Sequence, residues 1–572
     1  MSSPAAPRPA RWLPIAGWLR EYTRRDAQGD LVAGIITAIV LVPQGMAFAL
    51  LAGLPPEMGL YTSVLPPIAY ALFGTSRTLA VGPVSVAALM VAQALRDLPP
   101  GTDPVAAALV LALLGGALLL AMGFLRLGVV ENVLSHPVLS GFTLAAATLI
   151  LINQLPSLLG FRWDGSPAHA AAELGTHPAT ALLGACAVIL LLLMDRPLQR
   201  LLRSLGLSDA NARLCSRGGP LAVIVIATLA VAEVPGLSNS VAKVGALPSG
   251  LPLPRLPSLP LPLLAQLVLP AVLIALVSYV ESLSIAKALA ARRRERIDAN
   301  QELIALGAAN IGAALGGGMP VAGGFSRTMV NFQAGARTQL ASILTALLVG
   351  LVALTAASML AGVPKLALAA IIIVAVARLV DIPSIRALWR YDRIDGAVFA
   401  VTVIGVLALG IEKGIAAGVI ASLVGFSARN ARPHIAVLGR IRGSEHFRNV
   451  RRHDVETWPH LLFVRPDENF TFANAGFLES WLGNAVSEHP DVRHLVLVMS
   501  SVNTIDSTAL ERLERLLEAL RETGVTLHLT DVKGPLMDRM QTTTLMRSLP
   551  PGQVFLSAHA AAEALAKAGR DS

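Results

Sequence analysis

The chain has 572 residues, of which 54% are hydrophobic and only 15% are charged. This charged fraction lies well below the roughly 25% of soluble domains, so a soluble globular protein is excluded. Apolar runs approach the length of about 20 residues that a membrane helix needs, which indicates a polytopic α-helical membrane protein. The formal charge of +9 does not indicate a nucleic-acid partner, because the basic residues lie in short loops between apolar runs.

The two cysteines and the N-terminal arm exclude some further features of the protein. Cys186 lies in an apolar run and Cys215 in a basic loop, so neither a disulfide framework nor a metal site is expected. The N-terminal arm, residues 1–29, is basic and is followed by a full-length apolar span, so we expect no cleavable signal peptide.

Fourteen apolar segments follow the arm, in two sets of seven separated by a Pro-rich loop at 235–262. They lie near 31–51, 60–73, 83–94, 105–123, 129–152, 178–194 and 219–234, and then near 264–290, 300–315, 325–334, 339–361, 364–380, 394–411 and 413–428. The third segment of each set is short. Because seven is odd, the second set starts from the other side of the membrane. We therefore predict a transport domain at 30–430 built from inverted repeats at about 30–234 and 264–428, an architecture of secondary transporters.

Basic residues are concentrated in alternate loops. The rich loops follow the sixth, eighth and twelfth segments and contain Arg196, Arg200, Arg203, Arg213 and Arg217, then Arg292, Arg293, Arg294 and Arg296, then Arg378, Arg386, Arg390 and Arg393. The opposite loops carry single cations, namely Arg96, Arg162, Lys243, Arg255, Lys365 and Lys413. The positive-inside rule then predicts a multi-pass protein of the inner (plasma) membrane with both termini in the cytoplasm.

The stretch Gly316–Asn331 interrupts the second set with five glycines, Pro320 and Arg327. Irregular backbone at membrane depth persists only where protein or water surrounds it, and a charged Arg there usually marks a substrate path. We predict a short half-helix from Phe325, whose free N–H groups attract an anion. The alternative is a Gly-rich loop with Arg327 reaching to the membrane surface.

A matching interruption, Gly82-Pro83, opens the third segment of the first set. Paired interruptions at corresponding places point to a transporter's substrate site at the membrane midplane. We predict that the site contains the hydroxyls of Ser85, Ser326 and Thr328 together with Arg327. For Ser85 alone, helix–helix packing is the favoured explanation, because small polar residues are common where membrane helices pack.

Further candidates lie in the first and eighth segments. Gln44 offers an amide next to Pro43, although that proline could simply kink the helix. Glu281, between Ser278 and Ser282 and inside an apolar helix, is a candidate for coupling transport to a cation, because a buried carboxylate either pairs or takes a proton. The alternative is a structural ion pair with Lys287 or Arg327. Asn310 and Asn331 are expected to form inter-helix hydrogen bonds.

Beyond residue 431 the composition becomes polar, and strands alternate with helices. Apolar runs at Leu461–Arg465, His494–Met499 and Val525–Thr530 predict strands, and Ala475–Ser487, Thr508–Arg521 and Ala558–Ala568 predict helices. Residues 431–572 are therefore expected to form a small α/β domain.

Taken together, these motifs resemble the SulP sulfate permease and solute-carrier-26 anion transporter family, over nearly the whole chain. The matching motifs are Asp30–Gly34, Pro43–Ala49, Ala52–Pro56, Gly59–Tyr61, Phe73–Arg77, Gly82-Pro83, Asn300–Leu303, Asn310–Gly312 and Gly323–Thr328. The resemblance implies fourteen spans divided into a core and a gate domain. It also implies an anion site between the third and tenth helices, which begin near Pro83 and Phe325. Phe48 and Val84 are added to the expected substrate site on this basis.

The polar tail resembles a STAS domain and carries Ile505-Asp506-Ser507-Thr508 at the start of a helix. The resemblance implies that Asp506, Ser507 and Thr508 form a regulatory corner. This corner can be phosphorylated in related soluble STAS proteins, whereas in transporters it more often serves structure and regulation. We expect a homodimer formed partly through this domain. Glu281 falls where prokaryotic members carry an acidic residue tied to coupling with H⁺ or Na⁺.

The predicted function is uptake of a small oxyanion, sulfate first, by cation-coupled symport with an elevator-like or rocking motion. Bicarbonate or a C4-dicarboxylate is the alternative substrate, and an uncoupled exchanger or channel-like conductor is the alternative mechanism. A purine carrier of similar build is disfavoured because that family lacks the STAS tail, and a membrane-tethered scaffold leaves the paired interruptions unexplained. No HExxH, P-loop or nucleophile elbow is present, so no enzyme is expected and no cofactor is needed.

Overall fold

A computed structural model gives the arrangement of the chain. It describes residues 13–568 except 133–134, 162–176, 209–211, 213–214, 217, 235, 246, 249, 251, 253–259 and 379. The predicted loop cations Arg162, Arg213, Arg217 and Arg255 lie outside the described residues, as does much of the Pro-rich loop. The chain forms two compact units, Met1–Ala421 and Ser422–Ser572.

The first unit is helical, and each predicted apolar segment coincides with a helix. The helices of its first half are Ile15–Arg20, Arg24–Leu51, Pro56–Tyr61, Leu65–Phe73, Ser85–Arg96, Pro104–Phe124, His136–Leu159, Pro178–Leu193, Arg196–Ser204, Gly219–Glu233 and Leu237–Ser240, with a 3₁₀ turn at Gly128–Asn132. Those of the second half are Leu261–Arg293, Ala299–Leu315, Phe325–Gln333, Leu340–Thr355, Ala357–Leu360, Lys365–Ala377, Ile382–Tyr391, Arg393–Leu409 and Ile411–Ala431. The second and eleventh predicted segments are each split in two.

Length and hydropathy support fewer spans than the sequence pattern predicts. In the described chain, six helices are long and apolar enough to cross a membrane, or up to seven if one bent pair counts as a single span. The remaining segments are shorter or broken, so fourteen spans stay a prediction.

Small residues let the helices approach closely. The helix Pro104–Phe124 packs against Ala299–Leu315 through Gly116 and Gly307. A Cβ atom at Gly116 would lie 2.9 Å from the carbonyl oxygen of Gly307. Any larger side chain would force the two backbones apart, as is usual where membrane helices pack through glycine.

Two fully buried carboxylates join the two halves of the first unit. Asp30 accepts hydrogen bonds from the backbone N–H groups of Arg337 (2.7 Å) and Thr338 (3.0 Å) and from the Thr338 hydroxyl. Glu302 accepts from the Tyr70 hydroxyl at 2.7 Å and from the Thr75 hydroxyl at 2.6 Å. A buried carboxylate is costly unless several donors surround it, so these bonds fix the loops that supply them.

The sequence analysis did not predict two amphipathic helices, because neither contains an apolar run. Arg196–Ser204 and Ile382–Tyr391 carry arginines among apolar residues, and the second buries no side chain. The signal that could have found them is the 3.6-residue spacing of their apolar positions.

The second unit is an α/β domain whose six-stranded sheet has the order Phe447–Asn449, Ile435–Arg440, Leu461–Pro466, His494–Val498, Thr526–Thr530 and Val554–Phe555. Its strands are β3 (Ile435–Arg440), β4 (Phe447–Asn449), β5 (Leu461–Pro466), β6 (His494–Val498), β7 (Thr526–Thr530) and β8 (Val554–Phe555). Its helices are Ala475–Ser487, Ser507–Glu522, Gly534–Met540, Thr544–Ser548 and Ala558–Ala568, with a 3₁₀ turn at Met499–Ser501. All six predicted elements of the tail are confirmed to within two residues. The strands β3, β4 and β8 were not predicted.

Both faces of this sheet are covered, which explains why its central strands read as continuous apolar runs. Alternate residues of β5 belong to different clusters. Leu462 and Val464 pack under the helices Ala475–Ser487 and Ser507–Glu522, whereas Leu461 and Phe463 pack under Ala558–Ala568. The sheet therefore lies between two helical layers.

Candidate functional site

The two interruptions come together as a pair of short strands, here named the crossing. β1 (Val81–Gly82) pairs antiparallel with β2 (Ala322–Gly323), and Val81 lies opposite Gly323. Each strand leads directly into a short helix, which we name the first half-helix (Ser85–Arg96) and the second half-helix (Phe325–Gln333). Two segments 240 residues apart in sequence are thus joined by backbone pairing.

The start of each half-helix has free backbone donors. No side chain caps either helix, and the first intrahelical bonds are donated by Ala88 and Thr328. The first three amides of each half-helix, at residues 85–87 and 325–327, have no acceptor among the described residues. Free N–H groups together with the positive end of a helix dipole favour an anion.

Arg327 is buried behind the crossing with 2% of its surface exposed. One terminal nitrogen of its guanidinium donates to the carbonyl of Pro83 at 2.7 Å, and the other lies 3.5 Å from the carbonyl of Ala80. Its Nε has no partner in the described chain. The alternative that Arg327 reaches the membrane surface is therefore wrong, and its charge lies where the two half-helices begin.

The other polar side chains around the crossing hold its backbone. The Thr328 hydroxyl accepts from Ala80 N–H at 3.1 Å, and the Ser282 hydroxyl accepts from Gly323 N–H at 2.7 Å. Asn331 donates to the carbonyl of Thr78, and Asn310 bonds both the N–H and the carbonyl of Val321. The prediction that Asn310 and Asn331 form hydrogen bonds between helices is wrong in its partners, because both side chains bond the backbone of loop residues, Val321 and Thr78.

A cavity of about 430 Å³, here named the inner cavity, reaches the start of the second half-helix. Of the predicted substrate residues it exposes Gln44, Phe325 and Ser326. Phe48, Val84 and Ser85 are buried and do not line this cavity. Phe48 and Val84 belong to the same apolar cluster. The helix that carries Gln44 continues through Pro43 to Leu51.

Sequence reasoning missed Gln333, at the end of the second half-helix, and four polar residues of more distant segments on the wall of this cavity. Asp195 and Arg378 form an ion pair at 3.1 Å, and Gln199 donates to Ser216 at 2.9 Å. These four residues lie in the Arg-rich loops. The basic residues of these loops predicted how the chain is oriented in the membrane, but not which residues lie next to one another in the fold. Only the tertiary structure brings these loops to the half-helix.

Glu281 lies half-buried on the long helix Leu261–Arg293, one residue before the serine that bonds the crossing. Among the described residues it forms no salt bridge, and its charge interacts electrostatically with that of Arg327. Lys287 instead pairs with Glu131 at 2.6 Å, so an ion pair between Glu281 and Lys287 is wrong. Ser278 is buried one turn earlier, and its carbonyl accepts from the Ser282 hydroxyl.

The predicted regulatory corner lies at a helix start in the second unit. Asp506 caps the helix Ser507–Glu522 by accepting from Ala509 N–H at 2.9 Å, and it also accepts from Phe472 N–H at 2.6 Å. Ser507 and Thr508 are exposed beside it. The geometry gives Asp506 a clear structural role as an N-cap.

The chain matches the model of the sulfate permease family over residues 28–402 and that of the STAS domain over residues 452–561. It is 37% identical over 537 residues to the probable sulfate transporter 4.2 of Arabidopsis thaliana, covering 90% of this chain and 77% of that one. It is 34% identical over 570 residues to a probable sulfate transporter of Mycobacterium tuberculosis (strain ATCC 25618 / H37Rv), covering 97% and 98%. The protein is thus a multi-pass membrane transporter rather than an enzyme, and it belongs to the sulfate permease family.

Two solved structures have a similar fold. The murine solute carrier 26 family member A9 anion transporter, in its inward-facing state, matches with a TM-score of 0.85 and 24% identity over 99% of this chain and 96% of that one. The transmembrane domain of the cyanobacterial bicarbonate transporter BicA matches with a TM-score of 0.58 and 22% identity over 69% and 98%. At these identities the likeness concerns the fold alone.

Proposed function

We propose that this protein takes up sulfate by symport with a cation, and that the anion binds where the two half-helices begin. The observation that carries the proposal is the crossing, where uncapped amides and the buried Arg327 charge lie together beside the inner cavity. Such an arrangement suits a compact oxyanion that accepts many hydrogen bonds. Sulfate ranks first because the similar proteins of Arabidopsis and Mycobacterium are named as sulfate transporters.

The predicted substrate residues divide into two groups by their contacts. Gln44, Phe325 and Ser326 line the inner cavity and are proposed to contact the anion directly. Val84, Ser85 and Phe48 form the neighbouring wall. Arg327 and Thr328 are proposed to act mainly through the backbone that they hold, because their polar atoms already bond the segment before the first half-helix.

An inverted repeat with a moving core and gate is proposed as the transport architecture. Support comes from the crossing, since antiparallel pairing of corresponding segments is what a two-fold axis in the membrane plane requires. One helical group contains Pro104–Phe124, Leu261–Arg293 and Ala299–Leu315, and another contains His136–Leu159, Pro178–Leu193 and Lys365–Ala377. Motion of the first group against the second would carry the half-helices between the two sides.

Glu281 is proposed to couple transport to H⁺ or Na⁺. It is half-buried, has no salt bridge in the described chain, and interacts with the charge of Arg327, so a cation bound there alters the field at the anion site. Ser278 and Ser282 supply neighbouring oxygens, although Ser282 also holds the crossing. An uncoupled exchanger remains the alternative mechanism.

The proposal also includes a transport domain at 30–430 and a STAS domain at 431–572. It places the protein in the inner membrane with both termini in the cytoplasm, as a homodimer formed partly through the STAS domain. The loop charges support the orientation. Exposed Ser507 and Thr508 at a helix N-terminus would accommodate a phosphoryl group, which supports regulation at that corner.

The decisive experiment compares radiolabelled sulfate, bicarbonate and succinate uptake in proteoliposomes at two pH values, with and without sodium. We expect sulfate to accumulate against its gradient in response to an imposed proton or sodium gradient. Glu281→Gln should abolish this accumulation while leaving downhill sulfate exchange. Transport of a nucleobase with none of the three anions would show the assignment to be wrong, and accumulation by Glu281→Gln would make Glu281 structural.

A further inference from the structure

A second cavity, of about 540 Å³ and here named the outer cavity, lies at the other ends of the helices that wall the inner cavity. The helix Arg24–Leu51 lines the inner cavity with Val40 and Gln44 and the outer one with Ala47, Leu50 and Leu51. The helix Lys365–Ala377 likewise lines the inner cavity near its end and the outer cavity from its first residue. The two cavities therefore lie toward opposite ends of the same pair of helices.

The outer cavity carries two cations and no carboxylate. Arg96 ends the first half-helix and Lys365 begins its own helix, and both side chains line the cavity. Neither forms a salt bridge among the described residues. Asp97 and Asp103 do not line the cavity, and their hydrogen bonds come from the Gln93 amide (3.2 Å) and the Val105 N–H (2.9 Å) rather than from Arg96 or Lys365.

An unpaired amide faces the same space. Gln154 lines the cavity with only 9% of its surface exposed, and within the described chain it has no hydrogen bond. A buried amide is costly without a partner, so a ligand or water must satisfy it. Asn153 and Ser157, on the same helix, add further hydrogen-bonding groups.

The two cavities differ in charge. The inner cavity has one cation on its wall, Arg378, and this side chain is paired with Asp195 on the same wall. The outer cavity has two cations with no counter-charge. A cleft lined by one sign of charge concentrates counter-ions, typically by about tenfold or more, whereas a neutral cleft does not.

We propose that the outer cavity is a second anion site, which captures the small oxyanion through Arg96, Lys365 and Gln154 before it reaches the half-helices. This inference rests on the proposed function and deepens it. The charge difference favours capture on the side predicted to be extracellular and release on the side of the Arg-rich loops.

The test measures initial rates of radiolabelled sulfate uptake into cells against external sulfate concentration. Arg96→Gln and Lys365→Gln should each raise KM about three- to tenfold, and the double variant more, while kcat stays within about twofold. The dependence of KM on ionic strength should also weaken, because fewer charges attract the anion. Arg96→Lys keeps the charge and should stay near the wild-type KM. Gln154→Leu should raise KM without changing the salt dependence.

Lys413→Gln is the matched control, because this exposed cation lies on the same predicted side and outside the cavity. A double variant at wild-type surface expression with the wild-type KM would overturn the proposal. An equal rise of KM in Lys413→Gln would also overturn it, since the effect would then come from general surface charge. If the wild type transports bicarbonate or succinate but not sulfate, the substrate assignment fails and the same KM comparison, made with that anion, decides the inference.

Discussion

Arg327 is a buried cation whose hydrogen bonds go to backbone carbonyls from the first half of the chain. It donates to Pro83 and approaches Ala80, and a Cβ added at Gly324 would lie 3.1 Å from its guanidinium. The planar fork of Arg can serve two carbonyls at once, whereas the single ammonium of Lys cannot keep this geometry. Arg327 therefore combines a structural tie with a positive charge at the half-helix starts.

Replacing Arg327 tests both roles. Arg327→Ala should reduce sulfate uptake by at least about 100-fold, because it removes a buried charge and leaves the Pro83 carbonyl without its donor. Arg327→Lys should recover only part of the activity. Uptake kinetics in proteoliposomes check this, with monodisperse elution in detergent as the control for folding. Wild-type uptake by the Ala variant would refute the role, and full recovery by Lys would show that charge alone matters.

Among the elements, the neighbouring central strands β6 and β7 of the tail carry a histidine pair. His528 on β7 is 4% exposed, and its Nε2 lies 3.1 Å from Nδ1 of His494 on β6. Its other ring nitrogen is buried without a partner. Burial, and secondarily the neighbouring His494, lower the pKa of His528 from 6.5 to about 4. Burial also lowers the pKa of His494, with His460 and Arg493 adding to the effect.

This shift predicts how stability depends on pH. Because the folded-state pKa of His528 lies below the unfolded value, the unfolded chain binds the proton more readily between these two values. Stability is then complete above about pH 6.5 and falls as the pH drops toward 4, by about 2–3 kcal/mol from this residue. Urea unfolding of residues 432–572 at several pH values measures the free energy.

His528→Gln should flatten this dependence, since Gln does not titrate. His446→Gln changes an exposed histidine of the same domain and should keep the wild-type slope. An unchanged slope in His528→Gln would show that other groups cause the acid sensitivity.

At the scale of the whole molecule, the chain combines two units with separate cores. The tail has apolar clusters on both faces of its sheet, built from residues between Ile435 and Ala566. The unit boundary falls inside the helix Ile411–Ala431, between Ala421 and Ser422. A stable cut must therefore follow the end of the helix rather than the boundary itself.

We expect residues 1–431 to insert into the membrane and elute as one species, and residues 432–572 to unfold cooperatively on their own. The matched control is the fragment 1–415, whose last helix lacks most of its turns. We expect this fragment to aggregate. Size-exclusion chromatography with light scattering measures both outcomes and also reports whether loss of the tail weakens a dimer. Failure of 1–431 to insert would contradict separability.

Much of the local structure followed from the amino-acid pattern alone. Apolar runs, glycine and proline interruptions and alternating charged loops predicted the helices, both half-helices and the α/β tail, because each depends on near neighbours in sequence. The short antiparallel pairing of Val81–Gly82 with Ala322–Gly323 had no sequence signal, since two residues per strand carry no period.

The tertiary structure alone decided which groups meet. It placed the Arg327 guanidinium on the Pro83 carbonyl and Asp195 beside Arg378, and it paired Lys287 with Glu131 instead of Glu281. It also gathered Arg96, Lys365 and Gln154 around one cavity. Sequence revealed the chemical type of each residue, whereas a binding site depends on distances between helices, and these are set by how small residues such as Gly116 and Gly307 pack.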